Sequence, residues 1–96
     1  MMLAFPTNPK RRDDIAAAIH PHDGTARAHI VHQAWNPDYH RVIREFERRT
    51  GIGAVLNTSF NLHGEPLVAS PDDALDTFER SALPHLVLDR WLISKR

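Results

Sequence analysis

The sequence predicts a mixed α/β (α+β) fold for a single domain, residues 1–96, on three observations. Two segments, about 37–50 and 71–82, carry apolar residues at helix spacing behind recognisable N-caps. Short apolar runs that alternate with them have the length and composition of strands. Clusters of Pro, Gly, Asn and Asp punctuate the chain between these runs. A domain of 96 residues buries roughly 60 to 65% of the surface its unfolded chain exposes. With no cysteine, no disulfide compensates for a thin core.

Each element has its own local warrant. Met2 to Phe5 is a short apolar run stopped by Pro6, and Thr7-Asn8-Pro9 is turn chemistry, so a brief strand enters a loop. Asp13 to Ile19 has helical propensity through Ala16, Ala17 and Ala18, and His20-Pro21-His22-Asp23-Gly24 ends it in a turn. From Thr25 to Val31, Ala26, Ala28 and Ile30 alternate with Arg27 and His29, the period of a half-buried strand. Asn36 can cap a helix, Pro37 suits its first turn, and Tyr39, Val42, Ile43 and Phe46 recur at helix spacing until Gly51. Ala54-Val55-Leu56 reads as a buried strand that opens into the polar stretch Asn57 to Asn61 and the turn His63-Gly64-Glu65-Pro66. Ser70 and Asp73 are spaced as in a capping box, with Ala74, Leu75, Phe78 and Ala82 as the apolar stripe of the second helix, which runs to about Arg80 or Ala82. Leu86 to Leu88 and Trp91 to Ile93, parted by Asp89-Arg90, suit a tight hairpin or a bent terminal strand. Trp35 and Trp91 lie beside apolar segments and read as packing residues.

Charge narrows the classes of partner. Twelve basic and twelve acidic side chains balance to a formal charge of zero, and they interleave, so no positive face offers itself to a phosphate backbone. Nucleic acid is not an expected partner. No apolar run approaches the roughly 20 residues a membrane-spanning helix needs, so no membrane is expected either. The N-terminus lacks a basic region and a cleavage pattern, which with the absence of cysteine points to the cytoplasm. Seven histidines include the pairs His20-x-His22 and His29-x-x-His32, yet no third ligand falls at a recognised spacing, and no metal site is expected.

Two motifs carry chemistry. Leu56 to Pro66 concentrates amides and hydroxyls at the end of a strand, where open α/β sheets place their ligands. Uncharged donors such as Asn57, Thr58, Ser59 and Asn61 can surround phosphate or carbamoyl oxygens; the plainer reading is a loop whose side chains satisfy its own backbone. In Asp23-Gly24-Thr25-Ala26-Arg27, Gly24 permits a tight turn and Arg27 can clamp an anion; otherwise it is a surface arginine on an edge strand. A triad of Ser59, His63 and Asp23 lacks the G-x-S-x-G elbow that a serine nucleophile of this kind needs. No residue is assigned a catalytic role on these grounds.

Taken in order, D-G-T-A-R from Asp23, N-P-D-Y from Asn36, T-G-I-G-A-V-L-N-T-S-F-N from Thr50, G-E-P-L-V from Gly64, S-P-D-D-A-L from Ser70 and the segment Leu83 to Leu92 resemble one family. It is the carbamoyltransferase family of the nodulation-protein and antibiotic O-carbamoyltransferases. The resemblance runs from about Met2 to Ile93 and covers only the C-terminal end of that family. It implies a partial YrdC-like open twisted sheet with two main helices, about 37–50 and 71–82.

The family's members look like two-part enzymes, in which an ATPase-like N-terminal domain carries a metal and performs transfer. The YrdC-like domain activates carbamoyl phosphate with ATP, and a carbamoyl-adenylate then gives its carbamoyl group to a hydroxyl of a sugar or antibiotic scaffold. The resemblance implies that Arg27 holds phosphate charge, that Asn57, Ser59 and Asn61 bind carbamoyl phosphate or the adenylate, and that Thr58 supports the loop. His63 belongs to the same binding loop, at a position that varies in the family. No cofactor is implied within this chain, whereas ATP and a metal ion are implied for the complete enzyme. The implied partners are carbamoyl phosphate and a separately encoded N-terminal ATPase-like domain, with the chain as a split subunit. The rival expectation is a non-catalytic interaction or regulatory module, or a truncated gene product, that keeps the fold without the activity.

Overall fold

The computed structural model describes residues 3–96, so Met2 of the expected first strand lies outside the described residues. The chain divides into two compact units, Met1–Asn57 and Thr58–Arg96. Both are mixtures of helix and short antiparallel strands, the α+β class the sequence predicts.

In the first unit, β1 (Phe5–Pro6) pairs antiparallel with β2 (Thr25–Ala26) in the register Phe5↔Ala26 and Pro6↔Thr25. The strand expected from Thr25 to Val31 therefore stops after two residues, because a partner as short as β1 gives the later backbone nothing to pair with. Between the two strands the chain makes 3₁₀ turns at Pro9–Arg11 and Asp13–Ala18. The three alanines do not produce an α-helix there: Ile15, at φ −129° and ψ 28°, breaks the helical path, and a segment this short cannot sustain a helix on propensity alone.

Helix α1 (Pro37–Thr50) occupies the expected range. The Asn36 side chain accepts a hydrogen bond from the Tyr39 amide at 3.2 Å, and Pro37 sits at the first helical position. Gly51 ends the helix in the left-handed region at φ 77°, with its amide donating to the Glu47 carbonyl at 2.7 Å. The polar surface is laced with pairs one turn apart, Arg41–Asp38, Arg44–Glu47 and Glu45 with both Arg48 and Arg49. No residue of α1 is buried: Tyr39 and Ile43 are half-buried, and Val42 and Phe46 are exposed.

Ala54-Val55-Leu56 is not a strand. These residues belong to no regular element and are exposed, because no strand among the described residues lies alongside to accept their backbone. The open sheet implied by the family resemblance is accordingly represented by two separate two-stranded antiparallel sheets.

The second unit holds every buried residue among those described, Ala74, Thr77 and Phe78, all on α2 (Pro71–Arg80). Its capping box is complete: the Ser70 hydroxyl accepts from the Asp73 amide at 3.1 Å, and the Asp73 carboxylate accepts from the Ser70 amide at 3.0 Å. The helix ends at Arg80, the earlier of the two expected ends, because Ser81 is extended at ψ 169° and its hydroxyl donates to the Phe78 carbonyl. The buried stripe is correspondingly 74, 77 and 78, with Leu75 and Ala82 exposed. Burying the Phe78 ring contributes about 2 kcal/mol.

The expected hairpin is present, with β3 (His85–Leu88) against β4 (Trp91–Ser94) in the register Leu86↔Ile93 and Leu88↔Trp91. Asp89 takes the left-handed backbone of the tight turn at φ 53°. Alternation puts the half-buried Leu86, Leu88 and Ile93 on one face and exposed Val87 and Leu92 on the other. The two tryptophans do not pack as expected: Trp35 is 80% exposed, beside the edge of His32, and Trp91 is 68% exposed.

Replacing Ser70 by Ala removes half of the capping box and should destabilise the second unit by about 1 kcal/mol. Urea denaturation followed by helix circular dichroism measures this; an unchanged midpoint would show that the cap contributes nothing.

Candidate functional site

The loop after residue 57 is built as a closed hoop. The Val68 amide donates to the Phe60 carbonyl at 3.0 Å, joining its two ends. Within it the Glu65 amide donates to the Leu62 carbonyl at 3.0 Å, and Gly64 supplies φ 82° for the turn. The Asn61 side-chain amide donates to the carbonyls of Leu62 and Glu65, each at 3.0 Å, bracing the hoop from inside. The Asn61 side-chain oxygen is buried and accepts no hydrogen bond among the described residues.

An ion pair fixes this hoop to α2. Both terminal nitrogens of Arg80 donate to the Glu65 carboxylate, at 2.7 and 2.8 Å, and Arg80 also pairs with Asp76 at 2.7 Å. Donation from Arg80 holds the Glu65 carboxyl below its ordinary value and pushes the Arg80 guanidinium further up. At the far end of the unit, the Lys95 ammonium lies over the Phe78 ring and donates to the Glu79 carbonyl at 3.1 Å and to the Ser81 carbonyl. It thereby supplies a cation to the negative end of α2.

The two readings of the polar loop now separate residue by residue. Asn61 satisfies local backbone, as an ordinary loop residue does. Asn57, Thr58, Ser59 and His63 are exposed, and none of their side chains makes a hydrogen bond among the described residues. Their hydroxyls, amide and imidazole are free to meet a ligand. Ser59 and His63 share no hydrogen bond, and the Asp23 carboxylate is occupied by Thr25.

The Asp23–Arg27 motif belongs to the first unit and is a preformed turn. Asp23 Oδ1 accepts from the Thr25 hydroxyl at 2.7 Å and its amide at 2.9 Å, and these bonds, the hydroxyl's first, hold its carboxyl below the ordinary value. Gly24 sits at φ 68°, and its carbonyl accepts from both the amide and the hydroxyl of Thr7. Arg12 donates to the same Thr7 hydroxyl at 2.9 Å, and its guanidinium lies where a Gly24 Cβ would be, 2.7 Å from that point. Arg27 follows directly on β2, is exposed, and has no hydrogen-bond or ion-pair partner among the described residues. Every other arginine of this unit has one.

Sequence reasoning missed Arg80 with Glu65, and Arg12 with Thr7. Fifteen residues part the first pair, so no periodic signal links them; Thr7 and Arg12 sit in irregular chain where spacing has no fixed meaning. Among the described residues no three His, Asp or Glu side chains gather into a set able to hold a metal ion. No helix among the described residues is long and apolar enough to cross a membrane.

The chain matches the carbamoyltransferase C-terminus family over residues 1–95. It belongs to that family. It is 42% identical over its whole length to nodulation protein NolNO of Sinorhizobium fredii, of which it covers 14%. It is 36% identical, again over its whole length, to the uncharacterized protein MJ1058 of Methanocaldococcus jannaschii, covering 16% of it. Over 72% of its length it is 33% identical to the 3'-hydroxymethylcephem-O-carbamoyltransferase of Amycolatopsis lactamdurans, covering 14% of that enzyme. The carbamoyltransferase segment thus spans about a seventh of the length of these relatives.

Two outcomes test the geometry. Gly24→Ala forces a side chain into the left-handed region and displaces the Arg12 guanidinium, which should destabilise the chain by about 1–2 kcal/mol; a thermal midpoint equal to the parent's would remove that constraint. Because the folded Glu65 pKa lies below its ordinary 4.5, the pair's contribution is complete above that value and is lost as pH falls through the folded pKa. Arg80→Ala should therefore raise the Glu65 pKa, read by NMR titration, and flatten the fall of the thermal midpoint in acid.

Proposed function

We propose that this carbamoyltransferase segment is the C-terminal part of an O-carbamoyltransferase of YrdC-like type, and that it contributes the loop that binds carbamoyl phosphate and the carbamoyl-adenylate. The observation that carries the proposal is the set of unengaged uncharged donors at Asn57, Thr58 and Ser59, in a chain that matches the family over residues 1–95. Arg27, an exposed guanidinium without a carboxylate partner among the described residues, enters the reading through the family resemblance, as the group that holds phosphate charge.

The chemistry asks for such groups. In activation, a water oxygen bonds to the carbamoyl carbon and its protons pass to solvent, and the bond from that carbon to the bridging phosphate oxygen breaks with the electron pair leaving on phosphate. The carbamate so formed bonds through an oxygen to the α-phosphorus of ATP as pyrophosphate leaves. Negative charge grows on the carbonyl oxygen and on the departing phosphate, and hydrogen-bond donors fixed beforehand at those oxygens lower the barrier. Thr58 and Ser59 hydroxyls and the Asn57 amide donate without adding a charge that would hold the product. A guanidinium at Arg27 meets two phosphate oxygens at once. Asn61 acts by holding the hoop's shape, and His63 stands on the exposed tip of the same loop. ATP and carbamoyl phosphate enter as substrates, and the metal and the acceptor site belong to an ATPase-like domain that acts as partner.

Ligand that binds only the native state raises its stability, by about 1.4 kcal/mol at ten times the dissociation constant. Millimolar carbamoyl phosphate should raise the thermal midpoint of the chain, with Arg27→Ala removing most of the rise and Ser59→Ala part of it. No rise in the parent, or an equal rise in Arg27→Ala, would overturn the assignment of the anion site.

A further inference from the structure

We infer that residues 53–57 form a docking strand, which pairs edge to edge with the portion of a carbamoyltransferase polypeptide lying outside the matched segment. The inference rests on the proposed reading of the chain as part of such an enzyme. Gly53-Ala54-Val55-Leu56-Asn57 has strand composition, yet none of its backbone groups is hydrogen-bonded to another described residue. Its two large apolar side chains face solvent, Val55 at 38% and Leu56 at 60% exposure. An apolar extended segment with a free row of amides and carbonyls is a template for another strand.

The occupant of this exposed strand edge follows from the length of the relatives. The relatives NolNO and MJ1058 carry 86% and 84% of their length outside the matched part, polypeptide enough to cover it. In one covalent chain that material is also present at high effective concentration, which favours it over a second copy of this segment. Pairing along 53–57 would fix the backbone at Asn57 and so hold the start of the Thr58-Ser59 loop, placing the donors at a strand end.

The test mixes the 96-residue chain with NolNO lacking its matched residues and follows amide hydrogen exchange. Amides 53–57 should exchange freely in the chain alone and slow by at least about tenfold in the complex. Leu56→Asp should weaken the complex by about tenfold or more, since it charges an apolar contact while leaving both helices intact by circular dichroism. Absence of a complex, a complex in which these amides stay fast, or protection that appears in the chain alone and grows with its concentration would each overturn the inference, the last in favour of a second copy. Carbamoyl phosphate binding is read separately by thermal midpoint, so loss of the ligand reading leaves protection at 53–57 as an independent result.

Discussion

Arg80 is the point on which the second unit turns. One guanidinium reaches the Glu65 carboxylate with two nitrogens and Asp76 one turn back on its own helix, so the turn Gly64-Glu65-Pro66 takes its position from α2. An exposed ion pair alone contributes little, because water and salt screen it. Here its effect is geometric: bidentate pairing fixes both direction and distance, and the hoop already closed by Phe60 and Val68 has little freedom left. The helix can serve as anchor because it carries the unit's buried residues, Ala74, Thr77 and Phe78, with Lys95 closing its far end. Packing holds the helix, the helix holds Arg80, and Arg80 holds the loop.

Local chemistry made both helices legible in the sequence. Asn36, Pro37 and Gly51 delimit α1 and Ser70, Pro71 and Asp73 start α2, because caps satisfy backbone groups within a few residues and need no distant partner. The Asp89 turn was legible for the same reason. Where the sequence misled, the deciding interaction was remote or absent: Ala28 and Ile30 alternate like a strand but meet no partner, and Val55 and Leu56 are apolar without being covered. Strand propensity describes fitness for a sheet, and only a neighbour makes one. The end of α2 was legible only as Arg80 or Ala82, because Ala82 continues the apolar period while Ser81 leaves the helix to satisfy its own end.

The candidate site was legible by type and not by role. Composition grouped Asn57, Thr58, Ser59 and Asn61 as one polar cluster, but only geometry divides them. Asn61 turns inward and is used up on the carbonyls of Leu62 and Glu65, while the three before it keep their donors free. That division bears on what substitution at each position means. Changing Asn61 alters the shape of the hoop and leaves its orphaned side-chain oxygen to be reckoned with, whereas changing Ser59 removes a donor from a loop whose shape it does not support.

Zero net charge is the remaining clue, and the ion pairs explain it. The arginines of α1 are answered one turn away by Asp38, Glu45 and Glu47, and Arg11 by Asp14, so their fields are largely cancelled within a few ångströms. Balance overall is therefore compatible with cations that no carboxylate answers, and in the first unit Lys10, Arg12 and Arg27 have no ion-pair partner among the described residues. A site for a small anion that must also be released works with one such charge and several neutral donors, because attraction falls away beyond a Debye length of about 8 Å at physiological salt. A basic surface would attract polyanions as readily as a small anion; a few unanswered cations on a neutral chain do not.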